Sequence, residues 1–317
     1  MNRRRWVPLL AGLAAVLLLA IAPEIFSAFM VQFLINLFMM GILAESWNII
    51  GGFTGYASFG NVAFFGIGAY TTGVLLTRAE LPFVLALPAA GIVAMLFAAL
   101  VGLPILRLKG HYFAIATLGT AETIREVVYN LEFTGKGTGL VMPILRSPLV
   151  FFYSMLGILL AATLVNWWVS ASRFGYGMIA IREDEDAAAA MGINTPFYKT
   201  IAFALSGAFA GLAGGVYAYW ITFIDPDAVF KVTTTVQMII MAVFGGAGTV
   251  VGPLLGALVL SSVSELLATQ LATLAELFYG LIIILVVLFM PKGFSDLIRQ
   301  RAFSFKYFAR NLREYRI

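Results

Sequence analysis

Six ionisable side chains interrupt stretches that are otherwise apolar: Glu45, Glu122, Arg125, Glu126, Glu265 and Glu276. Charge held at bilayer depth is costly and is kept for gating, ion passage or pairing, so these residues are the first whose chemistry needs a position. Glu122 and Arg125, three apart, can pair along one helix face, with Glu126 one turn beyond Glu122. That group reads as a salt-bridged helix end, or as a gate or docking point for an outer partner. Glu45 and Asn48 close a second apolar stretch and read as structural or as pathway-lining. A proton relay would need a chain of buried Asp, Glu and His. The one histidine, His111, stands at a helix start and makes neither a relay nor a metal cluster by itself.

The absence of cysteine excludes disulfides, thiolate metal sites and cysteine nucleophiles. Gly135-Lys136-Gly137-Thr138 lacks both the Lys-Ser/Thr step and the earlier glycine of a phosphate-binding loop. No catalytic residue, metal or cofactor is expected.

A second constellation is built for contact. From Ser172 to Lys199 the chain turns polar, with four consecutive acids, Glu183 to Asp186, followed by four alanines, Ala187 to Ala190. Acids at a helix start favour the positive end of the dipole, Asp184 or Asp186 can cap it, and alanine has the highest helix propensity. Gly192 permits a left-handed stop, and Pro196 follows. The pattern predicts a short helix over 184–191 whose small exposed side chains suit close contact with another protein.

Glycine forms the third signal, in tracts at 51–70 and 245–257. Small residues near four-residue spacing either let helices touch or let a broken helix present its backbone to a cavity. Gly55, Ser58, Gly60 and Asn61 of the first tract, and Gly245, Gly246 and Gly248 of the second, join Glu45 and Asn48 as candidate pathway residues. Corresponding broken segments in two halves are the best sequence pointer to a transport pathway.

These residues must be positioned by helices in a membrane. The chain has 317 residues, 61% of them hydrophobic and 11% charged, with a mean hydropathy of +0.96. A soluble fold could not cover that apolar surface. The runs lack the alternation of a barrel, so the fold is expected to be all-α and polytopic. Matching runs to a ~30 Å core gives about ten crossings. They fall near 6–22, 28–50, 57–77, 83–106, 111–129, 149–170, 200–221, 233–247, 250–270 and 274–290. Spans 111–129 and 233–247 are weak enough that eight crossings stays open.

The first span follows Arg3, Arg4 and Arg5 and reads as an uncleaved anchor with a cytoplasmic amino terminus. Ten crossings then place the 172–199 loop and the basic tail at 291–317 in the cytoplasm, the tail lying against anionic lipid and not on nucleic acid. The two glycine tracts suggest an internal duplication, which five crossings per half would make inverted.

The segment Asp186-Ala187-Ala188-x-x-x-Gly192 is similar to the Glu-Ala-Ala-x-x-x-Gly coupling loop of membrane subunits of ATP-driven importers, with Asp in place of Glu. Gly51 to Tyr70, Leu106 to Gly119, Met178 to Gly192 and Met241 to Pro253 resemble one branch of them. That branch is the larger permease subunit of the branched-chain amino acid ABC importer family. The resemblance implies a type II importer-like permease domain over 1–317 in the bacterial inner membrane, in two related halves with both termini cytoplasmic. It implies a second homologous permease, two cytoplasmic ABC ATPases and a periplasmic solute-binding protein as partners. It also implies ATPase coupling through Glu185, Asp186, Ala187, Ala188, Gly192 and Ile193. Urea, short-chain amides and other amino acids are carried by very similar permeases. Two other classes remain: a stand-alone ion-coupled carrier, which would show a buried ionisable network, and an intramembrane enzyme, which would need a nucleophile with its base or a metal set.

Overall fold

The computed structural model describes residues 19–145, 147–270 and 280. The expected span at 274–290, the tail at 291–317 and most of the span at 6–22 lie outside the described residues, as do Glu276 and Arg146. Helices dominate the rest: α1 (Ala28–Trp47), α2 (Asn61–Thr77), α3 (Phe83–Ile105), α4 (His111–Asn130), α5 (Pro148–Ala171), α6 (Arg173–Glu183), α7 (Glu185–Ala190), α8 (Thr195–Ile221), α9 (Pro226–Val229), α10 (Val232–Gly245) and α11 (Gly252–Gln270). A two-residue antiparallel ladder, β1 (Leu140–Val141) on β2 (Phe223–Ile224), closes the loops beside α2 and is a small departure from the all-helical expectation.

Among the described residues, five helical stretches are long and apolar enough to cross a membrane: Ala28–Gly52, Phe83–Ile105, Pro148–Ala171, Thr195–Ile221 and Pro226–Gly245. Asn61–Thr77 and Gly252–Leu267 are apolar but shorter. Helix α4 has the length without the hydropathy, because Glu122, Arg125 and Glu126 occupy its second half.

The chain departs from the expected spans where its backbone is tied down locally. Helix α1 runs on through a π-helical turn, Asn48–Gly52, and α2 begins only at Asn61. The intervening segment is held in place: Trp47 Nε1 donates to the Ser58 carbonyl at 2.9 Å, and Thr117 Oγ1 accepts from the Phe59 amide at 3.0 Å.

The centre of the molecule is α8 packed on α2 and α3, through a glycine tract distinct from the two singled out above. A Cβ built on Gly68 would lie 2.0 Å from the Gly211 carbonyl oxygen, and one on Gly214 would lie 1.9 Å from that of Phe65. Gly207 and Gly211 likewise meet the Cβ atoms of Ala98 and Ala94 at 2.5 and 2.3 Å. With no hydrophobic drive between helices in lipid, such close approach is the main source of their adhesion. The larger side chains Phe64, Phe113 and Phe203 fill the space beside this seam, with Phe64 and Phe203 edge to face at 5.0 Å.

The second expected tract does the same for α10 and α11. A Cβ on Gly245 would sit 1.8 Å from the Gly252 carbonyl oxygen, and one on Gly256 would sit 1.8 Å from that of Met241. Gly246 and Gly248 make the turn between the two helices with φ of +122° and +77°, the region that glycine enters without strain.

Candidate coupling site and its join to the membrane helices

Helix α7 forms where the acid and alanine run predicts it, one residue shorter at each end. Asp184 is the cap: its carboxylate accepts from the Asp186 and Ala187 amides, both at 2.9 Å. Gly192 follows with φ +86°, and the Ala188 carbonyl accepts from the Ile193 amide at 3.1 Å. The preceding α6 is also helical, which the polar sequence at 173–183 did not announce.

The two sides of α7 differ. Glu185, Ala188 and Ile193 turn toward the body of the protein, Ala188 being 4% exposed. Asp186, Ala187, Ala189, Ala190, Met191 and Gly192 face outward, with Met191 84% exposed. The six residues expected to couple therefore divide into an anchoring set and an outward set.

Glu185 is the anchor. Its carboxylate meets Lys199 Nζ at 2.6 Å and Thr195 Oγ1 at 3.1 Å, and it accepts a further hydrogen bond from the Tyr56 hydroxyl. Lys199 also donates to the Leu106 carbonyl at 2.7 Å and to Tyr56 Oη at 3.0 Å, and its ammonium stands 4.5 Å from the centre of the Tyr56 ring. Side-chain exposure is 3% for Lys199 and 15% for Glu185, so water competes little for this pair. Four parts of the chain thus meet at one ammonium: α7, the start of α8, the end of α3 and the segment between α1 and α2.

Burial alone would push the Glu185 carboxyl upward, but the bonds from Lys199 and Tyr56, the Lys199 charge and the Thr195 bond outweigh it and hold the group below the usual carboxylate range. Tyr56 is pushed up, by burial first and then by Glu185, so its hydroxyl stays protonated and donates. A second tie, Lys109 to Asp186 at 2.7 Å, is exposed at both ends and contributes little in water. Beside the join opens a cleft of about 400 Å³ lined by Tyr56, Phe59, Lys109, His111, Arg182 and Glu185, among others.

The candidate pathway residues gather at the same end of the molecule. Asn48 donates to Asn166 Oδ1 and to the Thr249 carbonyl, both at 2.9 Å, and its own oxygen accepts from the Gly248 amide at 2.7 Å. Arg182 reaches from α6 to the Gly52 carbonyl at 3.1 Å. Asn61 donates to Ser206 Oγ at 2.8 Å. Glu45, Asn48, Ser58 and Asn61 are all 0% exposed, and neither carboxylate oxygen of Glu45 has a hydrogen-bond partner among the described residues. Gly60 is buried against Thr117, and Gly245 against Gly252. Gly55 is exposed and stands against Arg182.

Asn48→Leu is expected to cost about 1–3 kcal/mol by leaving the Gly248 amide and Asn166 Oδ1 unpaired, read as a lowered unfolding temperature of the solubilised chain. An unchanged temperature would mean that this network does not hold the two broken segments together.

At the opposite end, Arg125 pairs with Glu122 at 3.1 Å, Glu126 at 3.0 Å and Asp227 at 2.9 Å, tying α4 to α9. Among the described residues, no three His, Asp or Glu side chains converge as a metal ion would require.

The sequence that folds in this way, with an anchored short helix between two membrane-length helices, has relatives among known proteins. A family model described as a branched-chain amino acid transport system permease component matches residues 29–289. The chain belongs to that family. Among similar proteins is the high-affinity branched-chain amino acid transport system permease protein LivM of Escherichia coli K12, 29% identical over 321 residues, covering 90% of this chain and 75% of that protein. LivM of Salmonella typhimurium is 29% identical over 291 residues, covering 81% and 68% of the two chains. The permease is also 30% identical over 163 residues to the autoinducer 2 import system permease protein LsrC of Salmonella paratyphi B, covering 48% of this chain and 46% of that protein. No solved structure matches the chain.

The join at Lys199 is the feature of this permease that sequence reasoning missed. Lys199 marked only the end of the polar loop, and Tyr56 was one member of a glycine tract. A lysine four residues into an apolar helix, with no acid within a turn of it, was the available signal.

Proposed function

We propose that this permease forms half of the pathway of an ATP-driven importer for branched-chain amino acids, and that α7 is the element on which an ATPase acts. The observation that carries the reading is the Lys199–Glu185 join. A short helix can pass on a push only if it is fixed to what must move, and buried polar contacts tie this one to three other chain segments. Its outward face of small side chains and one long flexible methionine suits a partner's groove. The full reading has ten crossings in two related halves, both termini in the cytoplasm, and the chain in the bacterial inner membrane. Its partners are a second homologous permease, two cytoplasmic ABC ATPases and a periplasmic solute-binding protein, with the basic tail on lipid. ATP is hydrolysed in the partners and this chain is no enzyme.

Within this reading the segments 48–60 and 245–248 flank the pathway near the coupling end. Glu45, Asn48, Ser58, Gly60, Asn61, Gly245 and Gly246 are buried within the chain and so form a supporting layer, whereas Gly55 and Gly248 reach its surface. Arg182 lies against both of these glycines, which links α6 to the wall.

Met191→Asp places a charge on the outward face without touching the anchor. It is expected to lower recovery of the ATPases with the affinity-purified permease at least about tenfold, the cost of a desolvated unpaired charge at an interface. Undiminished recovery, with the chain still inserted, would count against this face as the docking surface.

A further inference from the structure

A small cleft of about 50 Å³ opens between α1, α10 and α11, far from the join, and is lined by Asn36, Met40, Gln237, Met241, Ser261, Ser264 and Glu265. Five of these side chains are polar: Ser261 is buried, and Asn36, Gln237, Ser264 and Glu265 are half-buried. Ser261 is 7% exposed and its hydroxyl has no partner among the described residues. Unmet polar demand inside a membrane-spanning bundle is expensive, and a lone carboxylate there marks a functional site by default.

The position within the fold is defined by the helix ends. The ends of α1, α10 and α11 that carry Asn48, Gly245 and Gly252 lie toward the coupling helix, through the Asn48–Gly248 and Arg182–Gly52 bonds. Asn36 and Gln237 are within about 12 Å of the opposite ends of α1 and α10, and Glu265 is about 20 Å along α11 from Gly252, at 1.5 Å per helical residue. The cleft therefore belongs to the half of the bundle remote from α7, where an imported solute enters.

Its chemistry selects charge and size. Glu265 supplies a carboxylate, Asn36 and Gln237 supply amide oxygens, and Ser261 and Ser264 supply hydroxyls; every one can accept a hydrogen bond, and among the described residues no cation lines the cleft. An ammonium group offers three N–H donors and the opposite charge. The volume holds a group of about water's size, near 30 Å³, and not an aliphatic side chain.

We propose that this cleft is a cation subsite on the entry half of the pathway, and that it receives the α-ammonium group of the transported amino acid. Naming the amino acid rests on the proposed function; the cation selectivity rests on the cleft alone. Glu265 sets the charge preference, and Ser261 and Ser264 orient the N–H groups.

The test uses the whole importer, with its partner subunits, in membranes. Because the chain has no cysteine, Ser261→Cys puts a single thiol of this subunit in the cleft. A cationic reagent, 2-aminoethyl methanethiosulfonate, is expected to label it about tenfold faster than the anionic 2-sulfonatoethyl analogue, and Glu265→Gln is expected to abolish that difference. Leucine should slow the labelling, whereas 4-methylpentanoate, the same skeleton without the ammonium, should not. In parallel, Glu265→Gln should lower leucine uptake about tenfold with the complex intact, and Glu265→Asp should restore part of it.

Equal labelling by both reagents, or no labelling in any nucleotide state, would overturn the site. Protection by sodium and none by leucine would overturn the ammonium assignment in favour of an alkali ion. Loss of the second permease on Glu265→Gln would overturn it in favour of a subunit contact. If the wild-type importer takes up no branched-chain amino acid while the charge preference at the introduced thiol persists, the solute reading fails and the cation site stands.

Discussion

Lys199→Met is expected to leave the importer able to hydrolyse ATP and unable to convert that hydrolysis into transport. The substitution keeps the aliphatic stem and removes the ammonium, so Glu185 keeps its charge in a pocket where only Tyr56 and Thr195 still face it. The Leu106 carbonyl loses its donor as well. Breaking one side of a buried pair costs about 3–5 kcal/mol, and the cheapest relief is for α7 to swing away from the body and hydrate its carboxylate. On the proposed docking, a helix that has come loose can still meet the ATPases with its outward face.

The measurable consequence is a fall in solute moved per ATP, of about tenfold or more, with ATPase recovery near wild type. Lys199→Met combined with Glu185→Leu should be milder than Lys199→Met alone, since no buried charge is then unpaired. Loss of ATPase activity in step with transport would mean that the join supports folding only.

The pH dependence of the join has a definite sign. Because the Glu185 carboxyl is depressed in the folded state, its contribution is complete above the unfolded value of about 4.3 and is lost as pH falls through the lower folded value. Coupling should therefore be flat across pH 6–8 as far as Glu185 is concerned.

Gly256→Leu is expected to remove nearly all assembled protein. Its Cβ would stand 1.8 Å from the Met241 carbonyl oxygen, a backbone atom that cannot turn aside, and the remaining leucine atoms have no space across the seam. Overpacking usually costs about 1–3 kcal/mol where side chains can yield, and here the helices themselves must part. Separating α10 from α11 would break the turn at Gly246 and Gly248 and with it the bonds to Asn48. Gly157→Leu is the control, because nothing lies within 4 Å of the Cβ it would add. Monodisperse protein recovered after solubilisation should fall at least about tenfold for the first and stay near wild type for the second; equal yields would contradict the close α10–α11 seam.

What could be read from the sequence follows from range. Apolar runs announce membrane helices because each is a local property, and α7 was legible because cap, acids, alanines and terminal glycine lie within ten residues. The tract at 245–257 was visible, but its two readings, touching helices or exposed backbone, differ only in what stands opposite. Gly252 and Met241 supply that answer for Gly245 and Gly256.

The join was illegible for the same reason: Tyr56 and Glu185 are 129 residues apart, and Tyr56 and Lys199 are 143 apart. On α8 the four glycines from Gly207 to Gly215 were hidden within a helix whose apolar character had already explained it. Asn36 and Gln237 gave no signal, since one polar residue in an apolar span gains meaning only when another helix brings it company. Glu265 stood out as a charge, and its cleft needed the fold.

The central claim is that the outward face of α7 touches an ATPase while its inward face is anchored to the membrane helices. A photo-crosslinking amino acid at Met191, 84% exposed, tests this in native membranes containing the complete importer. The account predicts an adduct between this chain and a subunit that mass spectrometry identifies as an ABC ATPase, with none from the same probe at Val84, on α3. Adducts only to lipid or to the second permease from Met191, in every nucleotide state, would contradict it.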